Sequence, residues 1–394
     1  MSMEGIFGEG VDRIGGEPIS ARMARKAPIR HIDFTLLLTT IVLAIYGAAM
    51  VYTATAAKLE AAGDDPNAFV TRQSFYFLAG TVLLVLLAAF DYRHLSGLAP
   101  ILYGGMALLL VAVLTPLGQV RNGTKGWFDF GLFDVQPAEL AKIAVIIAAA
   151  AYLAERKGDI RARDVGIALG IIGFPSLLIF AQPDLGTMMV FLAFTGGLLL
   201  VGGARLRHFA ALGLAGIVAV LAVFQFGLLK DYQVERLTSF LDPNPDVRSV
   251  GYNLTQSKIA IGSGGMKGKG IRSDDTQTSL EFVPEQHTDF IFTAVGEQLG
   301  FIGSATLLGL YALLIWRALR IATMSRDMFG TLLASGIAAM WAFQVFLNVG
   351  MTMGIMPITG VPLPFMSYGG SAMVANFVAV GLLMNVHMRR FLRT

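Results

Sequence analysis

The sequence predicts an all-α polytopic membrane protein of about ten transmembrane helices, on three observations. Of 394 residues, 55% are hydrophobic and only 14% are charged, against roughly 25% charged in an ordinary soluble domain. The apolar residues come in long runs, such as Leu36 to Val51, Val82 to Phe90 and Ile143 to Leu153. With flanking Gly, Ser and Thr, several of these reach the roughly 20 residues that a bilayer span needs. Finally, Lys and Arg concentrate in alternate breaks between the runs, the pattern of an oriented membrane protein.

Taken in order, residues 1–30 are polar, with Arg22, Arg25, Lys26 and Arg30 near their end. They read as a disordered basic tail on the cytoplasmic side. The apolar run that follows is too long for the core of a cleaved secretory signal, so it is expected to stay as a helix. Residues 31–390 then read as one transmembrane domain. Its spans lie near 33–54, 73–90, 96–116, 138–153, 165–181, 187–203, 208–228, 290–316, 328–350 and 370–387. With the amino terminus inside, 18 of the 30 Lys and Arg residues fall in the inner segments and four in the short outer ones, which puts both termini in the cytoplasm. The segment 229–289 is the one long outer loop, placed before the eighth span. It carries nine acidic and seven basic residues, and long loops of this kind are more often functional than not.

Composition also excludes several classes. A net charge of +3, with no basic stripe interleaved with aromatics, argues against nucleic acid as a partner. There is no cysteine, hence no disulfide and no thiolate chemistry. The five histidines show no metal-ligand spacing. No internal repeat of the inverted-transporter type is evident.

Asp289, in PEQHTDF, sits where the long loop meets the apolar run FIFTAV. A carboxylate there, at a helix amino terminus by the membrane surface, can act as general base towards a sugar hydroxyl. It can equally be a helix cap, as can Thr288. Glu297 lies eight residues on, about 12 Å deeper along a helix, where a carboxylate needs either a polar cavity or a buried partner. Glu139 and Lys142 stand three apart on one helix face. They form either an ion pair that makes each other's burial tolerable or a phosphate-attracting couple. Asp184, in QPDLGT, either caps the sixth span or joins that polar cluster.

The run GSGGMKGKG (262–270) fails the Walker pattern, because Ser263 and Gly270 stand at required positions. It is expected to be a flexible loop. The stretch VPLPFMSYGGS (361–371) places two prolines and two glycines at a span's edge, so it reads as a broken, cavity-lining entry to the last helix.

These segments together resemble the SEDS family (shape, elongation, division and sporulation). The matching strings are QPAELAK (136–142), QPDLGT (182–187), GYNLTQSKIAIGSGG (251–265), FVPEQHTDFIF (282–292), GEQLGFIG (296–303) and VPLPFMSYGGS. Within the family, PEQHTDFIF and GEQLGFIG are closer to the elongation (RodA-like) branch than to the division (FtsW-like) branch. The resemblance implies a peptidoglycan glycosyltransferase of the bacterial cytoplasmic membrane. Such an enzyme polymerises lipid II onto a lipid-linked glycan at the outer face, with Asp289 as the general base. Glu139, Lys142, Glu297 and Trp127 fall on family positions for substrate binding, and Asp184 is expected beside them. The Arg that the family carries before Trp127 is Gly126 here, with Lys125 one position earlier as the expected substitute charge. The leaving pyrophosphate implies a divalent cation, Mg²⁺ or Mn²⁺, bound with it. Implied partners are a class B penicillin-binding protein acting as transpeptidase and other membrane proteins of the elongation complex. The rival activity on the same charges is lipid II flipping.

Overall fold

The computed structural model describes residues 31–121, 123–131, 133–156, 160–227, 234, 250–271, 276 and 286–391. Its elements are α1 (Phe34–Ala62), α2 (Ala68–Ala89), α3 (Arg93–Leu114), β1 (Gln119–Arg121), β2 (Thr124–Asp129), β3 (Asp134–Val135), α4 (Pro137–Ala154), α5 (Ala162–Ala181), α6 (Leu185–Gly202), α7 (Leu206–Gln225), α8 (Val250–Ser263), α9 (Ile291–Met324), α10 (Met328–Met353) and α11 (Gly370–Met388). Among the described residues nine helices are long and apolar enough to cross a membrane, and α7, with the apolar stretch Leu206–Val218, occupies the expected seventh place. The expected tail, 1–30, lies outside the described residues, as does most of 229–289.

The helices begin and end where local chemistry dictates. Asp33, Asp184 and Asp327 cap α1, α6 and α10 by accepting from Leu36 N (3.0 Å), Thr187 N (2.9 Å) and Gly330 N (2.7 Å). Each such cap stabilises its helix by about 1 kcal/mol. Between caps, α1 exposes Phe34, Leu38, Val42 and Ile45, three to four residues apart and so on one helix face. In water that stripe would be an association hazard; against lipid it is the solvated face. Helices α4, α10 and α11 are the most enclosed and form the centre. Helix α11 meets α2 closely because Gly80 abuts Phe377 and Gly381 abuts Leu84, the small-residue contact that lets membrane helices approach.

Asp33 at the start of α1 binds Arg317 of α9, Nε to Oδ2 at 3.1 Å, and lies 3.8 Å from His387 Nδ1 of α11. The described beginning and end of the chain therefore lie at the same end of the bundle.

Helix α9 departs from expectation. Its 34 residues would run about 51 Å, against a hydrocarbon core of roughly 30 Å. The excess is resolved at Gly300, where φ 64° and ψ −158° break the helix. Residues 291–298 before the break are all buried in protein, whereas Phe301 and Ile302 just after it are exposed. From Gly300 to Arg320 is about 30 Å, the length of one hydrocarbon crossing. Glu297 thus lies in the enclosed part of α9, before the break.

The glycine-rich run is not a flexible loop but the partner of that break. Phe301 N and Ile302 N donate to Gly265 O (2.9 Å) and Met266 O (3.2 Å), while Lys269 N and Gly270 N donate to Glu297 O and Gln298 O, both at 3.0 Å. A broken helix exposes backbone groups that must find partners, and this run supplies them.

A cavity walled by four carboxylates

Three short strands between α3 and α4, absent from the helical reading, form an antiparallel hairpin in the order β1-β2-β3. Together with the starts of α4, α6 and α9 and the non-helical stretch before α11, they enclose a cavity of about 580 Å³. Its wall carries Asp134, Glu139, Asp184 and Asp289, with Arg121 and Trp127 from the hairpin.

Asp289 is held through its backbone. Asn348 Nδ2 of α10 donates to Asp289 O (2.9 Å) and to Val361 O (2.8 Å), and Tyr368 N donates to His287 O (2.9 Å). Gly360, at φ 71°, lies against the carboxylate: a Cβ there would stand 3.1 Å from Asp289 Oδ2. The residue that caps α9 is Phe290, so Asp289 stands one position before the cap and its carboxylate lines the cavity.

Glu139 and Lys142 make the ion pair expected of their spacing, with Lys142 Nζ donating to both Glu139 oxygens at 2.8 Å. Both side chains are only 2% exposed. Glu139 reaches the cavity wall, but Lys142 stays behind it. Asp184 does both things weighed from sequence: it caps α6 and lines the cavity. Burial pushes its carboxyl above the usual range, against the hydrogen bonds from Thr187, and the nearby Glu139 adds to the rise.

Two expected companions are not on the wall. Glu297 is fully buried and pairs with Lys269, Nζ to Oε1 at 3.0 Å, so it braces the break at Gly300. Lys125 turns its ammonium to Leu114 O (3.0 Å) and is not among the cavity-lining residues, whereas Arg121 is.

Arg121 and Asp134 were missed because the hairpin was missed. The signal was present: Asn-Gly at 122–123 between short polar-apolar stretches is a hairpin turn pair. Asn348 was equally legible as a polar side chain near the end of the apolar run 328–350.

A bundle of membrane-spanning helices enclosing a carboxylate-walled cavity at one end defines a polytopic membrane protein with an enzyme-like site. The family model described as cell cycle protein (FtsW/RodA/SpoVE) matches residues 34–391, and the chain belongs to that family. It is a multi-pass protein of the bacterial cytoplasmic membrane. The peptidoglycan glycosyltransferase MrdB of Escherichia coli K12 is 39% identical over 360 residues, covering 91% of this chain and 94% of that protein. Stage V sporulation protein E of Bacillus subtilis is 38% identical over 357 residues, 90% of this chain and 96% of that one. Among solved structures, a chain from a peptidoglycan synthase complex that coordinates polymerization and crosslinking aligns with a TM-score of 0.76 at 33% identity, covering 91% of this chain and 98% of its own. The rod shape determining protein RodA of Thermus thermophilus aligns with a TM-score of 0.67 at 30% identity, covering 92% and 98%.

Proposed function

We propose that this chain is a peptidoglycan glycosyltransferase that polymerises lipid II at the outer face of the membrane during cell elongation, with both termini in the cytoplasm. The observation that carries the reading is Asp289, its backbone clamped by Asn348 and its carboxylate set on the cavity wall against Gly360.

In the reaction, the 4-hydroxyl of one lipid-linked sugar lies at Asp289. The carboxylate takes its proton, the oxygen attacks the anomeric carbon of the other sugar, and the bond from that carbon to the pyrophosphate oxygen breaks with inversion. The polyprenyl pyrophosphate leaves with the bonding pair. A positioned base of this kind contributes roughly 10²–10⁴-fold to rate. Glu139, kept in place by Lys142, and Trp127 offer an acceptor and an apolar ring for the sugars.

Among the described residues no group of three or more His, Cys, Asp or Glu side chains is placed to hold a metal ion. A Mg²⁺ or Mn²⁺ ion would come in with the substrate, held in part by its pyrophosphate oxygens, and would help neutralise the leaving charge; the steps above are assigned to this chain's own residues. The crosslinking partner is a class B penicillin-binding protein, a reading supported by the synthase complex among the similar structures.

Flipping of lipid II needs polar groups through the membrane's depth. Helix α4 carries no charged residue between Lys142 and Glu155, and its buried face there is apolar from Ile143 to Leu153, which favours the enzyme. Detergent-solubilised protein decides between the two, since a micelle has no second leaflet. Incubation with labelled lipid II should give a glycan ladder on a gel. Transport in vesicles without a ladder, with or without the transpeptidase, would establish the flippase instead.

A further inference from the structure

We propose that Arg121 is the residue of this chain that receives the pyrophosphate of the lipid-linked substrate, exchanging its present partner Asp134 for it. The proposal rests on the glycosyl-transfer reading of the cavity and adds what holds the leaving group.

The need is electrostatic. Four carboxylates stand on the cavity wall, and a pyrophosphate brings further negative charge into the same space. Among the described residues Arg121 is the only Lys or Arg on that wall. Lys142 is enclosed and committed to both oxygens of Glu139, and Lys125 is turned to Leu114 O.

Arg121 also has suitable geometry. Its NH1 and NH2 donate to Asp134 Oδ2 (2.5 Å) and Oδ1 (2.7 Å), a two-pronged pair. The planar fork that grips a carboxylate in this way matches two phosphate oxygens equally well. The pair is open, with side chains 41% and 36% exposed, so an incoming anion can reach both groups. A more highly charged anion can therefore compete with Asp134 for the fork.

The neighbouring strand shows where this chain's arrangement is its own. Gly126 precedes Trp127, and a Cβ built on it meets only ordinary contacts: Gln182 Oε1 and Thr124 Cγ2 at 3.5 Å. Gln182 is fully buried and its Oε1 has no hydrogen-bond partner. There is thus room for a Cβ at 126, with an acceptor beside it. The charge that a residue there would offer the cavity is offered instead from β1, by Arg121.

The test uses purified full-length protein and two readouts: KM for lipid II, and inhibition by a polyprenyl pyrophosphate compared with the matching monophosphate. Arg121→Ala should raise KM and weaken pyrophosphate inhibition by about tenfold, the loss of about 1.4 kcal/mol of binding, with kcat reduced less. The preference over the monophosphate should shrink. Arg121→Lys, which keeps charge and loses the fork, should fall between. Adding Gly126→Arg to Arg121→Ala should restore inhibition. If Arg121→Ala does not fold, Arg121→Lys and Arg121→Gln are read in its place. Unchanged KM and inhibition in folded Arg121 variants, with the parent polymerising normally, would overturn this proposal and leave glycosyl transfer standing. Arg121-dependent pyrophosphate binding by a parent that forms no glycan would do the reverse.

Discussion

Asn348 Nδ2 bridges the carbonyls of Asp289 and Val361, at 2.9 and 2.8 Å. One buried amide thus ties the entry of α9 to the non-helical stretch before α11, and both border the cavity. Asn348→Ala removes both hydrogen bonds. It should cost about 1–3 kcal/mol of stability, read as a lower unfolding temperature in detergent. A shift of about 1 Å at the reacting group is enough to slow turnover roughly 10²-fold, so kcat should fall more than KM rises. A variant with unchanged kcat would show that Asp289 needs no such clamp.

Glu139 and Lys142 are each other's condition for burial. Removing one partner, as in Lys142→Met, should destabilise by about 3–5 kcal/mol, because it strands a charge in an enclosed site. Converting both, Glu139→Gln with Lys142→Met, should recover much of that loss without recovering activity, since Glu139 reaches the cavity wall. Thermal unfolding of the two variants, set beside their polymerisation rates, separates the roles. Equal stability of single and double variants would contradict the pairing.

Gly300 is the position where only glycine fits. An added Cβ would lie 2.3 Å from Gly268 N, on a backbone at φ 64°. Gly300→Ala should cost more than about 1–3 kcal/mol, the strain of an unfavourable backbone conformation plus the clash. It should also loosen the run 262–270, seen as faster amide hydrogen exchange at Lys269 and Gly270. Exchange equal to that of the parent would mean the run does not depend on the break.

The sequence's legibility followed from what each signal measures. Apolar runs located the helices, most ends to within a few residues, with α1 and α9 each running eight residues past the expected end, because a lipid-facing helix must be apolar along its length. The pairing of Glu139 with Lys142 followed from a three-residue offset on a helix. The break in α9 did not show, because Gly300 is one glycine among 45 and nothing local says that residues 265–270 return to cover it. For the same reason Glu297 read only as needing a cavity or a buried partner, and the returning run supplies the partner, Lys269. Arg121 pairs with Thr124 and Lys125 with Val120, so strand alternation sends the two side chains to opposite sides of the hairpin, and spacing alone does not say which side meets the cavity.

The account stands or falls on Asp289. Initial rates of lipid II polymerisation by purified Asp289→Asn, with its unfolding temperature and its polyprenyl pyrophosphate binding both matching the parent, test it most directly. The predicted result is a rate lower by about 10²–10⁴-fold in a protein that still folds and binds. A folded Asp289→Asn variant that builds glycan at the parent's rate would contradict it.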